Sequence, residues 1–146
     1  MTTPFMTERV GYLVKQVQHG LRARMDHSLR ALGITTAQYA VMAALDEAPG
    51  ASGADVARRC FITPQTVTAL ISTLEREQMV ERSPSATHGR VIETRLSNSG
   101  RVLLRRAHRL VAAVEHEMLA DLTATERKRL SVLLQRCVLR LGSTPT

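Results

Sequence analysis

The chain has no tryptophan, and aromatic residues make up only 3% of it. Proteins that bind single-stranded nucleic acid usually stack bases on exposed aromatic side chains, so this composition argues against that class. No apolar run approaches the roughly 18 residues that a membrane-spanning helix needs. The opening segment MTTPFMTERV lacks the basic and then apolar stretches of a secretory signal. We therefore expect a cytoplasmic protein without membrane contact.

Cysteine is scarce as well, since Cys60 and Cys137 are the only two and lie far apart. Neither has the spacing of a metal site, so we expect no metal and no cofactor. In the cytoplasm both thiols should stay reduced and pack as small apolar side chains. A redox switch at one of them remains an alternative.

Enzyme motifs are also missing. The sequence contains no phosphate-binding loop, nucleophile elbow or dinucleotide fingerprint. The segment HEML at His116 lacks the second histidine of a zinc protease. We therefore do not expect an enzyme.

What the chain does contain is positive charge, nearly all of it from arginine. The net charge is +7, the pI is about 10.7, and 18 of the 20 basic residues are arginine. Between Pro49 and Leu110 there are ten arginines against five acidic residues. Such a balance favours a polyanion as partner, most often nucleic acid. Because aromatic stacking platforms are missing, double-stranded DNA is the better candidate.

Apolar periodicity predicts a single, mainly α-helical domain, and 146 residues suffice for one core. Apolar residues three and four apart predict a long amphipathic helix from Thr7 to Leu32, ended by Gly33. Thr35 and Gln38 have the spacing of a capping box, which predicts a second helix that stops before Pro49.

Two shorter helices are predicted in the centre. Ser52 is a suitable N-cap for a helix of about two turns. Thr63 caps the next helix, and Pro64 is tolerated as its first residue. The apolar stripe that should face the core consists of Val67, Leu70, Ile71 and Leu74.

The remaining segments predict a hairpin and two further helices. MVER and RVIETRL, separated by SPSATHG, indicate two short strands with a basic tip. A long helix should follow from about Asn98 to Leu119. Thr123 and Glu126 predict a capping box for a last helix ending near Gly142. We expect the terminal helices to share a core with the central module.

Two short helices across a tight turn, followed by a hairpin, describe a winged helix-turn-helix. With that order the sequence resembles the MarR family of bacterial transcription regulators over about residues 7 to 141. The matching segments are GITTAQYAVMAAL, ASGADVARRCFITPQTVTALISTLEREQMVER and GRVIETRLSNSG. The resemblance implies an N-terminal dimerisation helix (1–34), a winged helix-turn-helix module (35–100) and C-terminal dimerisation helices (101–146) in one continuous domain.

The resemblance also implies that the helix after Thr63 enters the major groove of DNA. Its outer side is rich in hydroxyl and amide groups, which can meet phosphates or base edges. We expect base contacts from Gln65, Thr66 and Thr68, and backbone contacts from Thr63, Ser72 and Arg76. An ordinary solvent-facing helix side is the alternative, and the basic surroundings favour DNA.

Two arginines of the preceding helix, Arg58 and Arg59, face the same partner in such a fold. We expect a phosphate contact from one of them. The other should pair with a neighbouring acid such as Asp55.

In the wing, Arg90 matches the family arginine that enters a narrow minor groove. The family pattern places an aspartate two residues earlier to hold this arginine, and here that position is His88. The substitution puts the wing geometry in question and adds a group whose charge depends on pH. A second departure is Gln78, where relatives commonly have glycine, so we expect either left-handed backbone strain there or a different end to the helix.

Effectors of the family bind between the DNA-binding module and the dimerisation helices. The candidates in this region are Tyr12, His19, Tyr39 and Met42, and a core role is the alternative for each. The urate-sensing branch uses a tryptophan in the first helix and the hydroperoxide-sensing branch uses a cysteine there. This sequence has neither, which excludes both branches.

The leading hypothesis is a homodimeric, ligand-responsive regulator, a repressor, that binds a roughly palindromic site in double-stranded DNA. It would be released by a small lipophilic or phenolic ligand. One alternative is a winged-helix protein-interaction module with weakened DNA binding, which His88 makes conceivable. The other is a regulator that responds to oxidation of a cysteine.

Overall fold

The computed structural model describes residues 8–142. Its elements are α1 (Val10–Leu29), a 3₁₀ turn (Arg30–Leu32), α2 (Thr36–Glu47), α3 (Gly53–Cys60), α4 (Pro64–Arg76), β1 (Val80–Pro84), β2 (Ile92–Leu96), α5 (Asn98–Met118) and α6 (Ala124–Leu141). The expected mainly α-helical fold with a small β-hairpin is confirmed. The predicted helix start at Thr7 lies outside the described residues. Within residues 8–142, no helix combines the length and apolarity that crossing a membrane requires.

Local capping groups fix the helix ends as predicted. The Thr35 hydroxyl accepts a hydrogen bond from the Gln38 N–H at 3.1 Å, and the Gln38 side chain accepts from the Thr35 N–H at 2.9 Å. Thr123 and Glu126 form the same reciprocal box at the start of α6. The 3₁₀ turn after α1 ends at Gly33, whose φ of 71° is the left-handed conformation that glycine adopts without strain.

The two strands form an antiparallel hairpin in which Val80 pairs with Leu96 and Pro84 pairs with Ile92. The loop between them is closed by the Ser85 N–H, which donates to the Val91 carbonyl at 2.7 Å. On the outer edge of β2, the Gly50 N–H donates to the Thr94 carbonyl at 3.4 Å. The turn after α2 is therefore attached to the wing.

The main core lies between α2, α3, α4, the hairpin and α5. Its buried side chains are Val41, Met42, Ala44, Leu45, Val56, Ala57, Val67, Ile71, Leu74, Val80, Leu96 and Leu104. A second, smaller cluster of Leu29, Ile34 and Ala107 joins α1 to α5. Both α1 and α5 thus share a core with the central module, as expected.

The expectation of a shared core is wrong for α6. None of its residues is buried in the single chain. Spacings of three and four place Leu130, Leu133, Leu134, Cys137 and Leu141 on one stripe of this helix. Cys137 is consequently exposed rather than packed within the chain, in contrast to the prediction.

The start of α5 is tightly joined to the loop between α4 and β1. Gln78 has the expected left-handed conformation, with φ of 64°. The Ser97 hydroxyl donates to the Gln78 carbonyl at 2.7 Å, and the Ser97 N–H donates to the Met79 carbonyl at 3.0 Å. A Cβ atom at Gly100 would lie 2.1 Å from the Met79 carbonyl oxygen, so only glycine fits this approach.

Candidate nucleic-acid interface

Helix α4 has one buried side and one exposed side. Thr63 is its N-cap and accepts from the Thr66 N–H at 3.2 Å, while Pro64 occupies the first turn. Val67, Ile71 and Leu74 anchor it to the main core. The exposed side consists of Gln65, Ala69, Ser72 and Arg76, with Thr66 and Thr68 at its margins. All the candidate contact residues of this helix are therefore accessible.

The hydroxyl groups of α4 are less free than the sequence suggests. The Thr68 hydroxyl donates to the Pro64 carbonyl at 3.0 Å, and the Thr73 hydroxyl donates to the Ala69 carbonyl at 3.1 Å. The hydroxyl oxygens of Thr63 and Thr66 lie 2.9 Å apart and share a hydrogen bond. Residues 8–142 offer no such partner to the Gln65 carboxamide, which keeps both its donor and its acceptor for a ligand.

The two arginines of α3 are engaged to different degrees. Arg58 forms a close ion pair with Asp55, as predicted for one of the two. The Ser52 hydroxyl and then the Arg58 guanidinium hold the pKa of the Asp55 carboxyl below its usual range. Arg59 is more loosely paired, with its Nη1 3.7 Å from the Glu47 Oε2. Arg59 is thus the more available of the two for a phosphate.

Arginines in the wing differ in the same way. The Arg82 Nε lies 2.8 Å from the Glu75 Oε2, and the Arg95 Nη2 lies 2.8 Å from the Glu93 Oε2. Arg90 is exposed at the tip, and no carboxylate of residues 8–142 lies within ion-pair distance of it. The wing therefore presents one uncompensated guanidinium at the point farthest along the hairpin.

His88 leaves Arg90 without a carboxylate partner but does not loosen the loop backbone. The His88 N–H donates to the Ser85 hydroxyl at 3.3 Å, and its carbonyl accepts from the Val91 N–H at 2.8 Å. Nearby Glu93 is bound by Arg95 and by Ser85, which lower the pKa of its carboxyl, with a smaller effect from His88. The main chain thus holds the wing turn while the side chain of Arg90 stays free.

The four effector candidates do not form one cluster. Met42 is fully buried in the main core, which leaves no exposed surface on it. His19 is exposed on α1 and Tyr12 is half-buried there. Tyr39 is half-buried, and its hydroxyl lies 2.8 Å from the Nδ1 of His108 on α5. Burial raises the pKa of the Tyr39 hydroxyl, with smaller contributions from Glu115 and Glu47.

The Tyr39–His108 contact joins the central module to a terminal helix, and the sequence analysis missed His108. Their rings meet edge to face with centroids 5.4 Å apart. Because the two residues are 69 positions apart, no periodic or motif signal could have paired them.

A hollow of about 380 Å³ between α1 and α5 was missed for the same reason; it is lined by Gln16, Val17, Gly20, Leu21, Arg24, Val114, Glu117 and Met118.

Cys60 gives little support to a redox site. Cys60 is half-buried, and burial raises the pKa of its thiol, which lowers the fraction of reactive thiolate. Phe61 beside it is 73% exposed rather than part of a buried turn. In the described part of the chain, no group of three or more His, Cys, Asp or Glu side chains could hold a metal ion.

Comparison with known proteins agrees with this geometry. The MarR family model matches residues 32–91, from the end of the 3₁₀ turn to the end of the wing loop. The HTH-type transcriptional repressor Rv2887 of Mycobacterium tuberculosis is 32% identical over 127 residues, which cover 87% of this chain and 91% of that protein. The chain belongs to the MarR family. The resemblance recognised in the sequence is thereby confirmed, and the relative found is a regulator rather than an enzyme.

Solved MarR-family structures extend the comparison. The structure of Mycobacterium tuberculosis Rv2887 with salicylic acid has a TM-score of 0.76 and 32% identity, and the match covers 88% of this chain and 96% of that one. The structure of Rv2887 with DNA has a TM-score of 0.74 and 29% identity, with 88% and 97% covered. MarR from Escherichia coli, at 23% identity, a TM-score of 0.79 and coverage of 94% and 99%, shares the fold.

Proposed function

We propose that the protein is a homodimeric transcriptional repressor that binds a roughly palindromic site in double-stranded DNA and is released by a small ligand. The observation that carries the proposal is the exposed side of α4. This side presents polar groups and small methyl-bearing side chains, while the apolar stripe on the other side packs on the core. The chain as a whole has a net charge of +7. The DNA complex of Rv2887 supports the same assignment, since the two proteins share 29% identity in that comparison.

In the complex with DNA, we propose that Gln65, Thr66 and Thr68 contact the bases. Thr63, Ser72 and Arg76 would contact the phosphates. Of the α3 arginines we assign a phosphate to Arg59, because Arg58 is closely paired with Asp55. Arg90 would enter the minor groove, with His88 beside it at the wing tip. Its free guanidinium suits the strong negative potential of a narrow minor groove.

The dimer is proposed from apolar surface that the single chain does not cover. On α1, the exposed apolar side chains are Val10, Leu13, Val14 and Val17, and α6 adds its stripe from Leu130 to Leu141. A helix without any buried residue gains little stability from its own chain. We therefore assign residues 1–34 and 101–146 to dimerisation and residues 35–100 to DNA binding, within one continuous domain.

The effector is proposed to be a small phenolic or lipophilic molecule, with an aromatic acid as the first to test. Rv2887 has been solved with salicylic acid and with p-aminosalicylic acid, at 32% and 30% identity to this chain. We place the ligand at the junction of α1, α2 and α5, where Tyr39 meets His108. Met42 would support the site from the core, while Tyr12 and His19 are proposed as further ligand contacts on α1, separate from this pair.

The test is a titration of the full chain onto the DNA upstream of its own gene at several salt concentrations. We expect specific binding whose affinity falls steeply with salt, because each neutralised phosphate releases counterions. Addition of salicylic acid should weaken this binding. Equal affinity for random duplex would instead favour a winged-helix module that contacts other proteins and has lost DNA recognition.

A further inference from the structure

The hydrogen bonds within α4 determine which chemical groups it can offer to DNA. Thr68 donates its hydroxyl hydrogen to the Pro64 carbonyl, and Thr63 and Thr66 share a hydrogen bond with each other. Thr68 is nevertheless exposed, and because its hydroxyl hydrogen is engaged, it offers a partner its methyl group and the hydroxyl lone pairs but no donor. The exposed neighbour Ala69 adds a second methyl group.

Gln65, Thr68 and Ala69 form one surface, which we name the α4 patch. Residues three and four apart on a helix lie side by side, so Thr68 and Ala69 both border Gln65. The patch combines a free carboxamide with two methyl groups. Each of its residues is exposed, and α4 is held from behind by Val67 and Ile71.

Charge is absent from this part of the helix. The segment PQTVTALIST, residues 64–73, contains no arginine, lysine or acid. Arginine and lysine are the usual partners of guanine, and carboxylates accept from cytosine. The first charged side chains on α4 are Glu75 and Arg76, about two turns beyond the patch. The patch therefore lacks the groups that select a G·C pair.

We propose that the α4 patch recognises an A·T step in each half-site, with Gln65 on adenine and the methyl groups of Thr68 and Ala69 on the thymine 5-methyl. A carboxamide matches the adjacent acceptor and donor of adenine in the major groove, and methyl groups of Thr or Ala favour the thymine methyl. This inference rests on the proposed function and adds the base class that the helix selects.

The first experiment asks whether the thymine methyl matters. The full chain selects its site from a pool of random duplexes, and each thymine of the selected half-site is then replaced by uracil, which lacks only the 5-methyl. We expect one position to weaken binding about fourfold per half-site, the effect of removing one buried methyl group. The other thymines should change affinity less than twofold.

The second experiment separates the methyl of Thr68 from its hydroxyl. Thr68→Val keeps a γ-methyl group and should retain the preference for thymine over uracil. Thr68→Ser keeps the hydroxyl but loses the methyl, and should reduce this preference to the part that Ala69 supplies. The two substitutions and the base change form a double-mutant cycle, which isolates the contact from general effects on stability.

Thr73→Ser is the matched control, because Thr73 makes the same hydrogen bond to the carbonyl four residues earlier but is half-buried. It should leave the preference for thymine unchanged. Thermal unfolding of each variant shows whether the fold is retained, and Thr68→Val and Thr68→Ser can be compared with each other even if both lose some stability.

The outcomes are distinguishable. Loss of binding in Thr68→Val with retention in Thr68→Ser would overturn the methyl assignment and favour a hydroxyl contact. A selected half-site without a uracil-sensitive thymine, or with guanine in place of the predicted adenine, would also overturn it while leaving the regulator intact. Failure to select any duplex would remove the proposed function and this inference together.

Discussion

The central module and the terminal helices are stabilised in different ways. In the module, α2, α3, α4 and the hairpin bury a continuous set of apolar side chains around Met42, Leu45 and Leu74. By contrast, α6 buries none, and the apolar residues at the start of α1 are about half exposed or more. The module therefore supplies most of the main core, to which α5 adds Leu104, whereas α6 and the start of α1 leave apolar side chains exposed in the single chain. Under the proposed function, DNA recognition and dimerisation would lie in different parts of one domain.

The largest effect should come from a charge on the apolar stripe of α6. Leu134→Asp is expected to give a monomer, because a buried carboxylate without a partner strongly disfavours the dimer. Loss of the second DNA-binding module should weaken operator binding by about 100-fold or more. Sedimentation gives the oligomeric state, and Gln135→Asp on the opposite side of the helix is the control. A dimeric Leu134→Asp protein would contradict the assignment of α6.

Within the module, Met42→Ala should destabilise the fold by about 2–5 kcal/mol, because it leaves a cavity in a fully buried site. Urea unfolding at fixed protein concentration measures this free energy. Met118→Ala, at a side chain that is 42% exposed, should cost clearly less. A small loss for Met42→Ala, with altered ligand response, would instead show that Met42 lines an effector pocket.

Arg90→Ala should weaken DNA binding about tenfold and lower the salt dependence by about one counterion, with no change in stability. Its guanidinium has no acidic partner in residues 8–142, so its charge is fully available to DNA. Arg82→Ala is the comparison, since Arg82 is paired with Glu75 at 2.8 Å. Binding titrations at several salt concentrations measure both the affinity for DNA and its dependence on salt. Equal losses in the two variants would show that the wing acts only through its net charge.

The smallest effect concerns Asp26, which joins α1 to the module. The Thr36 N–H donates to its carboxylate at 2.8 Å, and hydrogen bonding by Thr36 lowers the pKa of this carboxyl. Because the folded-state pKa is depressed, the stabilisation is present at neutral pH and is lost as the pH falls through that value, below about pH 4. Asp26→Asn should cost about 0.3–1 kcal/mol at pH 7. Urea unfolding at pH 7 and pH 2.5 should show this difference disappearing in acid; a constant difference would contradict it.

Local signals account for what the sequence predicted correctly. The start of α4 is set by Thr63 and Pro64 within one turn, and its buried side by the spacing of Val67, Ile71 and Leu74. The left-handed backbone at Gln78 was expected from the resemblance, because relatives commonly have glycine at this helix end. Each of these features depends on residues a few positions apart, which is the range over which periodicity and capping are informative.

Features that depend on distant residues were not predictable. Tyr39 and His108 meet only because α5 crosses α2, and the spacing of α6 cannot show whether its apolar stripe is covered by the same chain or by another. The hydrogen bond from Thr68 to Pro64 also escaped the sequence, because threonine can turn its hydroxyl inward or outward. That choice changes the chemistry of the proposed contact surface.

The close approach at Gly100 has a mechanical consequence. With no room for a Cβ beside the Met79 carbonyl, and with Ser97 bonded on both sides of that residue, the first turn of α5 and the base of the wing behave as a single lever. In a dimer, a change in the distance between the two α4 helices cannot be absorbed at this joint. In the proposed dimer we therefore expect such a change to arise at other joints of the chain, where α1 meets α2 or where α5 passes into α6.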